Sequence, residues 1–201
     1  MSVKLGYLLC LLLLPALCFA QFVQSEEDHT HNLTFPKSDV YNTTKWVKQD
    51  CITGRTYDLY ALLDSGYVVV HEYVMMDCRP CITAGKGLER IVNSLRELHP
   101  GRILYFQTLY EDRTDCRSLQ QWKKSNRFTT DALFTKGAAE VAFYGGMGMP
   151  TILVLGGGKR HKGYYKRLGY SPRDNGVIIK AIRRALQMSK NRFEQEKQVA
   201  E

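Results

Sequence analysis

The sequence has no Gly-Lys-Ser/Thr triplet closing a glycine run, no internal repeat and no nucleic-acid recognition motif. Gly156-Gly157-Gly158 is therefore a turn rather than a phosphate loop. Nucleic acid is not an expected partner, although the formal charge is +8. Basic residues recurring from Lys159 to Arg192 suit a solvated turn and outer helix face. Long apolar runs are scarce. The stretch Leu8–Leu17 follows Lys4 and precedes Cys18-Phe19-Ala20, with small residues at −3 and −1. That pattern is a secretory leader cut after Ala20, too short for a lasting membrane span, so no stable membrane anchor is expected. Leu9 before Cys10 and Leu17 before Cys18 argue against lipidation.

Cysteine is scarce too, six in 201 residues. Cys10 and Cys18 leave with the leader, so Cys51, Cys78, Cys81 and Cys116 remain for a secreted or periplasmic chain, where disulfides persist. A single pair has zinc-like spacing, which disfavours a four-thiolate zinc site. With no cofactor motif in the chain, neither a cofactor nor a metal is expected. His29 and His31 form a His-x-His in a polar stretch with no lasting period, where ligation is the weaker reading. Asn32-Leu33-Thr34 and Asn42-Thr43-Thr44 are glycosylation sequons, relevant only in a eukaryotic host.

Four segments are expected: the leader (1–20), a flexible stretch (21–45), one α/β domain (46–190) and a charged tail (191–201). Tyr57–Leu63 predicts a short helix, and Tyr67–Val74, β-branched and aromatic, a buried strand. Ile82, Leu88, Ile91, Val92, Leu95 and Leu98 mark a long amphipathic helix stopped at His99-Pro100-Gly101. Ile103–Leu109 is a second strand, and Ser118–Lys124 is helical. Phe128–Tyr144 is ambiguous, with a helix over Ala132–Val141 the reading adopted. Thr151–Leu155 is a strand with an antiparallel partner around Gly163–Tyr165, and Val177–Leu186 is a final helix. The order is β-α-β-α-β-β-α.

Cys78-Arg79-Pro80-Cys81 closes the first strand and opens the long helix. The unpaired N–H groups and positive dipole end of a helix favour a thiolate at the first cysteine. A thiolate there, with a second thiol to displace it, is the machinery of thiol–disulfide exchange. Cys78 is the expected nucleophile and Cys81 the resolving thiol. Arg79 should lower the Cys78 pKa and Asp77 oppose it, with Arg79 the stronger. A structural disulfide or half a metal site are the plainer alternatives.

Strand-CxxC-helix followed by Met149-Pro150-Thr151-Ile152 before the third core strand resembles the thioredoxin-like superfamily, over about Tyr57–Leu186. The resemblance implies a central mixed sheet flanked by helices, here with an N-terminal extension. It implies a cis Pro150 facing the cysteine pair, with Met149 offering its backbone to an extended substrate. Arg79 and Pro80 would lie at the same substrate surface; Pro80 matches thioredoxin's motif, whereas Arg79 replaces a glycine and Asp77 a tryptophan. Glu72 stands where the family carries a buried acid serving the second thiol, and His71 is expected to be structural. Cys51 and Cys116 are expected to pair in a separate structural disulfide, a shuttle role being the alternative.

The expected function is an exported thiol–disulfide oxidoreductase acting on cysteine-containing proteins and recharged by a separate redox partner protein. A non-catalytic binding module, a copper carrier using Met75, Met76, the CxxC and His161, and a peroxidase are the rivals.

Overall fold

Seven consecutive buried residues, Val68 to Val74, make β4, a strand buried on both faces because it lies inside the sheet. It pairs in parallel with β5 (Ile103–Leu109) and antiparallel with β7 (Thr151–Gly156). β1 (Tyr41–Asn42), β6 (Ala132–Phe134) and β8 (Lys162–Leu168) complete a six-stranded mixed sheet of order β1-β8-β7-β4-β5-β6. β2 (Val47–Gln49) and β3 (Thr56–Asp58) form a separate hairpin. The helices are α1 (Leu59–Asp64), α2 (Arg79–Leu98), α3 (Cys116–Asn126), α4 (Ala138–Phe143) and α5 (Asn175–Ala200). This computed structural model describes residues 40–146, 148–157 and 161–200. The leader, the His29/His31 pair and the Asn32 sequon lie outside the described residues.

Strand alternation divides the core. Val68, Val70, Tyr105, Ile152 and Val154 face the apolar stripes of α2 and α5, including Leu88, Val92, Ile178 and Ile182. On the other face, Val69, Tyr73, Phe106 and Leu153 pack with Trp46, Leu59, Leu63 and Val141. A third cluster caps the ends of β4 and β5: Val74 and Leu109 meet Cys51, Cys81, Leu119, Trp122 and Phe128.

The structure corrects the expected helix over Ala132–Val141. Ala132–Phe134 instead extends the sheet as β6, pairing with β5, and the helix starts only at Ala138. Three apolar residues fit a buried strand or a helix equally well from sequence alone. Gly137 interrupts the segment: a Cβ there would lie 2.9 Å from Tyr73 and Thr108 side-chain carbons and 3.0 Å from the Leu109 carbonyl oxygen. The ordered edge also begins earlier than Trp46, since Tyr41 and Asn42 pair with Gly163 and Lys162. Tyr57 belongs to β3, with Asp58 capping α1 through the N–H groups of Tyr60 and Ala61. α5 runs on to Ala200 with no break at the boundary expected near residue 190.

Candidate active site

β4 delivers the chain to the end of the sheet, and Cys78 caps α2 with extended backbone, φ −105° and ψ 94°. Its Sγ accepts the Cys81 N–H at 3.1 Å, satisfying one of the orphan donors of the first turn. Pro80 occupies that turn, where its missing N–H costs nothing. Cys78 and Cys81 are joined, with Cα atoms 5.2 Å apart. Their surroundings differ: Cys78 is half-buried, whereas Cys81 is fully buried. Asp77, Arg79 and Pro80 are exposed, so solvent screens both charges beside Cys78.

β7 runs antiparallel to β4, and Thr151, its first residue, faces Tyr73. That register brings the Met149-Pro150 peptide, which is cis, to the CxxC end of the sheet. Met149 packs in the cluster that holds Cys78 and Cys81.

Glu72 lies fully buried on the face of β4 that carries Val70 and Val74. Its Oε2 accepts from Tyr105 Oη at 2.5 Å and Gln107 Nε2 at 2.9 Å. Burial pushes its carboxyl up to about 7; the two hydrogen bonds pull the other way, and Glu89 adds to the rise. Gln107 is the register partner of Glu72 on β5. Its amide nitrogen lies 3.1 Å from where a Gly85 side chain would begin. Gly85 is one helical turn beyond Cys81, so the Glu72–Gln107 pair sits against the turn of α2 that follows the buried cysteine. Tyr105 and Gln107 were missed from the sequence; the usable signal was a polar residue inside an otherwise buried strand.

His71 points to the opposite face. It is fully buried, meets Thr108 Oγ1 at 2.6 Å through Nε2, and stacks on Tyr73 with ring centroids 4.3 Å apart. Burial, aided by the positive Lys48, drives its pKa down to about 3. A depressed histidine stabilises fully above its unfolded value near 6.5, and that contribution is lost as pH falls toward 3. Between pH 6.5 and 5 the loss from His71 is about 2 kcal/mol. Denaturant titrations at those two pH values check this: on acidification His71→Phe should gain about 2 kcal/mol relative to wild type, and parallel profiles for the two proteins would contradict it.

Cys51 and Cys116 are joined across a sequence separation of 65, with Cα atoms 5.1 Å apart. The turn carrying Cys51 is held by Asp50, whose carboxylate accepts the N–H groups of Thr53 and Leu133. Cys51 itself donates to the Leu133 carbonyl at 2.8 Å, and Cys116 opens α3. Closing so long a loop restricts the unfolded chain by about 4 kcal/mol. Cys51→Ala/Cys116→Ala should therefore lose about that much stability in denaturant while Cys78–Cys81 still exchanges. A loss below about 1 kcal/mol would show that the link does little for the fold.

The structure does not bring His161 to the cysteine pair. It sits at the far end of β7–β8, 2.8 Å from Asp64 and stacked on Tyr60, while the CxxC end of that ladder is the Thr151–Leu168 pair. Strand rise over the five residues from Thr151 to Gly156 separates the two ends by about 17 Å. The methionine and histidine copper set expected as a rival is therefore not assembled. Met75 is exposed and Met76 half-buried beside the CxxC.

No protein-family model and no curated protein matches the chain. Solved structures do. A candidate thiol:disulfide interchange protein DsbE of Chlorobium tepidum superposes with a TM-score of 0.57 at 15% identity, covering 72% of this chain and 95% of its own. The fold is thioredoxin-like. A candidate protein disulfide isomerase of Bacteroides thetaiotaomicron gives 0.60 at 12% identity, with coverage of 76% and 92%. A DsbF homologue of Corynebacterium diphtheriae gives 0.56 at 17%, covering 73% and 88%. At these identities the likeness is one of fold, and the thioredoxin-like sheet accounts for the placement of the CxxC at the ends of the central strands.

Proposed function

We propose that the protein is an exported thiol–disulfide oxidoreductase that exchanges disulfides with cysteine-containing protein substrates. The observation that carries this reading is the unequal pair at the cap of α2: a half-buried Cys78 accepting a backbone N–H, and a buried Cys81 one turn before Gly85, against which the Gln107 partner of Glu72, a carboxyl raised to about 7, is placed. In the reduced protein, the Cys78 thiolate attacks a substrate disulfide, forming a mixed disulfide and expelling one substrate thiolate. Cys81 then loses its proton toward Glu72 and attacks Cys78 Sγ. The second substrate sulfur leaves as a thiolate and takes up a proton. The substrate gains two electrons, and Cys78–Cys81 is left oxidised. The reverse sequence oxidises a dithiol, so the net direction follows from the separate redox protein that recharges the pair. Met149, two residues before β7, offers backbone groups to an extended substrate segment, and Arg79 and Pro80 form the adjoining rim. The leader ending at Ala20 sends the chain to a secreted or periplasmic location.

Turnover of a peptide disulfide in the presence of excess dithiol tests the reading. Wild type should accelerate reduction and Cys78→Ala should not. Equal rates for the two proteins would exclude it.

A further inference from the structure

β4 and β5 run parallel and end together, and Tyr110 N–H, one residue past the end of β5, still donates to the carbonyl of Val74, the last residue of β4, at 2.8 Å. At the next donor on the β4 side the partner changes. Met76 N–H donates to Glu111 Oε1, a side chain, at 3.4 Å. The other carboxylate oxygen of Glu111 is buried and has no hydrogen-bond partner among the described residues. Leaving such an oxygen unpaired is costly, and a neutral or apolar side chain at this position would avoid the cost. Met76 stands two residues before Cys78 and packs in the same cluster as Cys78 and Cys81. The carboxylate thus lies where the carboxyl ends of parallel strands present ligands in open α/β sheets.

The other charges on this rim are Asp77 and Arg79 around Cys78, and Asp112 and Arg113 beside Glu111, all exposed. Solvent screens those four more than it screens Glu111, whose Oε2 is closed off. We propose that Glu111 is a positioning residue for Cys78: it holds the Met76-Asp77 turn and sets a negative charge beside the thiolate. That charge opposes the helix cap, raises the Cys78 pKa and makes the disulfide a weaker oxidant. The inference rests on the exchange reaction proposed above.

Glu111→Gln keeps an acceptor for Met76 N–H and removes the charge, while Glu111→Ala removes both. Thiolate absorbance of the reduced protein across pH should give a Cys78 pKa lower by about half a unit in both variants, roughly a threefold rise in the thiolate-to-thiol ratio. The glutathione equilibrium should move toward the reduced pair in both. Amide hydrogen exchange at Met76 should accelerate, on the order of tenfold, in Glu111→Ala alone. A Glu111→Gln protein with the wild-type pKa and equilibrium would overturn the electrostatic part of the proposal. Unchanged Met76 exchange in Glu111→Ala would overturn the positional part. If wild type itself neither titrates a Cys78 thiolate nor equilibrates with glutathione, the exchange reading fails and this inference falls with it.

Discussion

Cys81→Ala is expected to turn the protein into a trap, accumulating substrates as mixed disulfides through Cys78 and losing all turnover. Cys78→Ala is expected to lose turnover and to trap nothing. The asymmetry follows from burial. Cys78 caps α2 and is half-buried, the more open of the two cysteines. Cys81 is closed off by Val74, Leu119, Trp122 and Phe128, so it can reach the substrate bond only by attacking Cys78. Non-reducing gels followed by mapping of the trapped linkage read this directly. Trapping by Cys78→Ala through Cys81, or equal trapping by the two variants, would contradict the division of roles.

Glu72→Gln is expected to slow the resolving step by about 100-fold at neutral pH, within the range for loss of a positioned acid–base group. It should also abolish any inflection near pH 7 in the rate of that step. The same carboxyl leaves a mark on stability. Its ordinary value is 4.5 and its folded value about 7, so between these pH values the folded chain keeps a proton that the unfolded chain has released. Stability from this group is complete below about 4.5 and is lost as pH rises through 7, to a total of about 3 kcal/mol. His71, its neighbour on the opposite face of β4, acts in the other direction, losing its contribution as pH falls from 6.5 toward 3. Between pH 6.5 and 4.5 the two contributions largely offset in wild type. Glu72→Gln exposes the His71 slope, so it should lose stability on acidification over that interval, where wild type changes little. Denaturant unfolding at several pH values measures both, and parallel profiles would refute the assigned carboxyl shift.

Much of this fold was legible because its central pieces obey simple periods. The β-branched and aromatic run Tyr67–Val74 read as a buried strand and the stripe from Ile82 to Leu98 as a long helix, although Leu98 proves exposed, so the strand–helix junction at Cys78 followed. The element at Ala132–Phe134 was not legible, because a three-residue apolar run carries no period and its partner, β5, lies far away in sequence. β1 was hidden for a related reason: Tyr41 and Asn42 become a strand only through the β8 edge. At the site, Glu72 stood out as a carboxyl inside an apolar run, whereas Glu111 did not. Its contact with Met76 depends on two loops meeting beyond the ends of parallel strands, which no local pattern encodes.

The proposed exchange requires Cys78–Cys81 to be a reversible two-electron couple. Equilibrating the protein across a graded series of reduced and oxidised glutathione, quenching with an alkylating reagent and mapping the labelled cysteines tests this most directly. The predicted result is a single transition at Cys78 and Cys81, with a potential between about −270 and −120 mV, while Cys51 and Cys116 stay joined throughout. A pair that remains oxidised down to potentials below about −300 mV, as structural disulfides do, would contradict it.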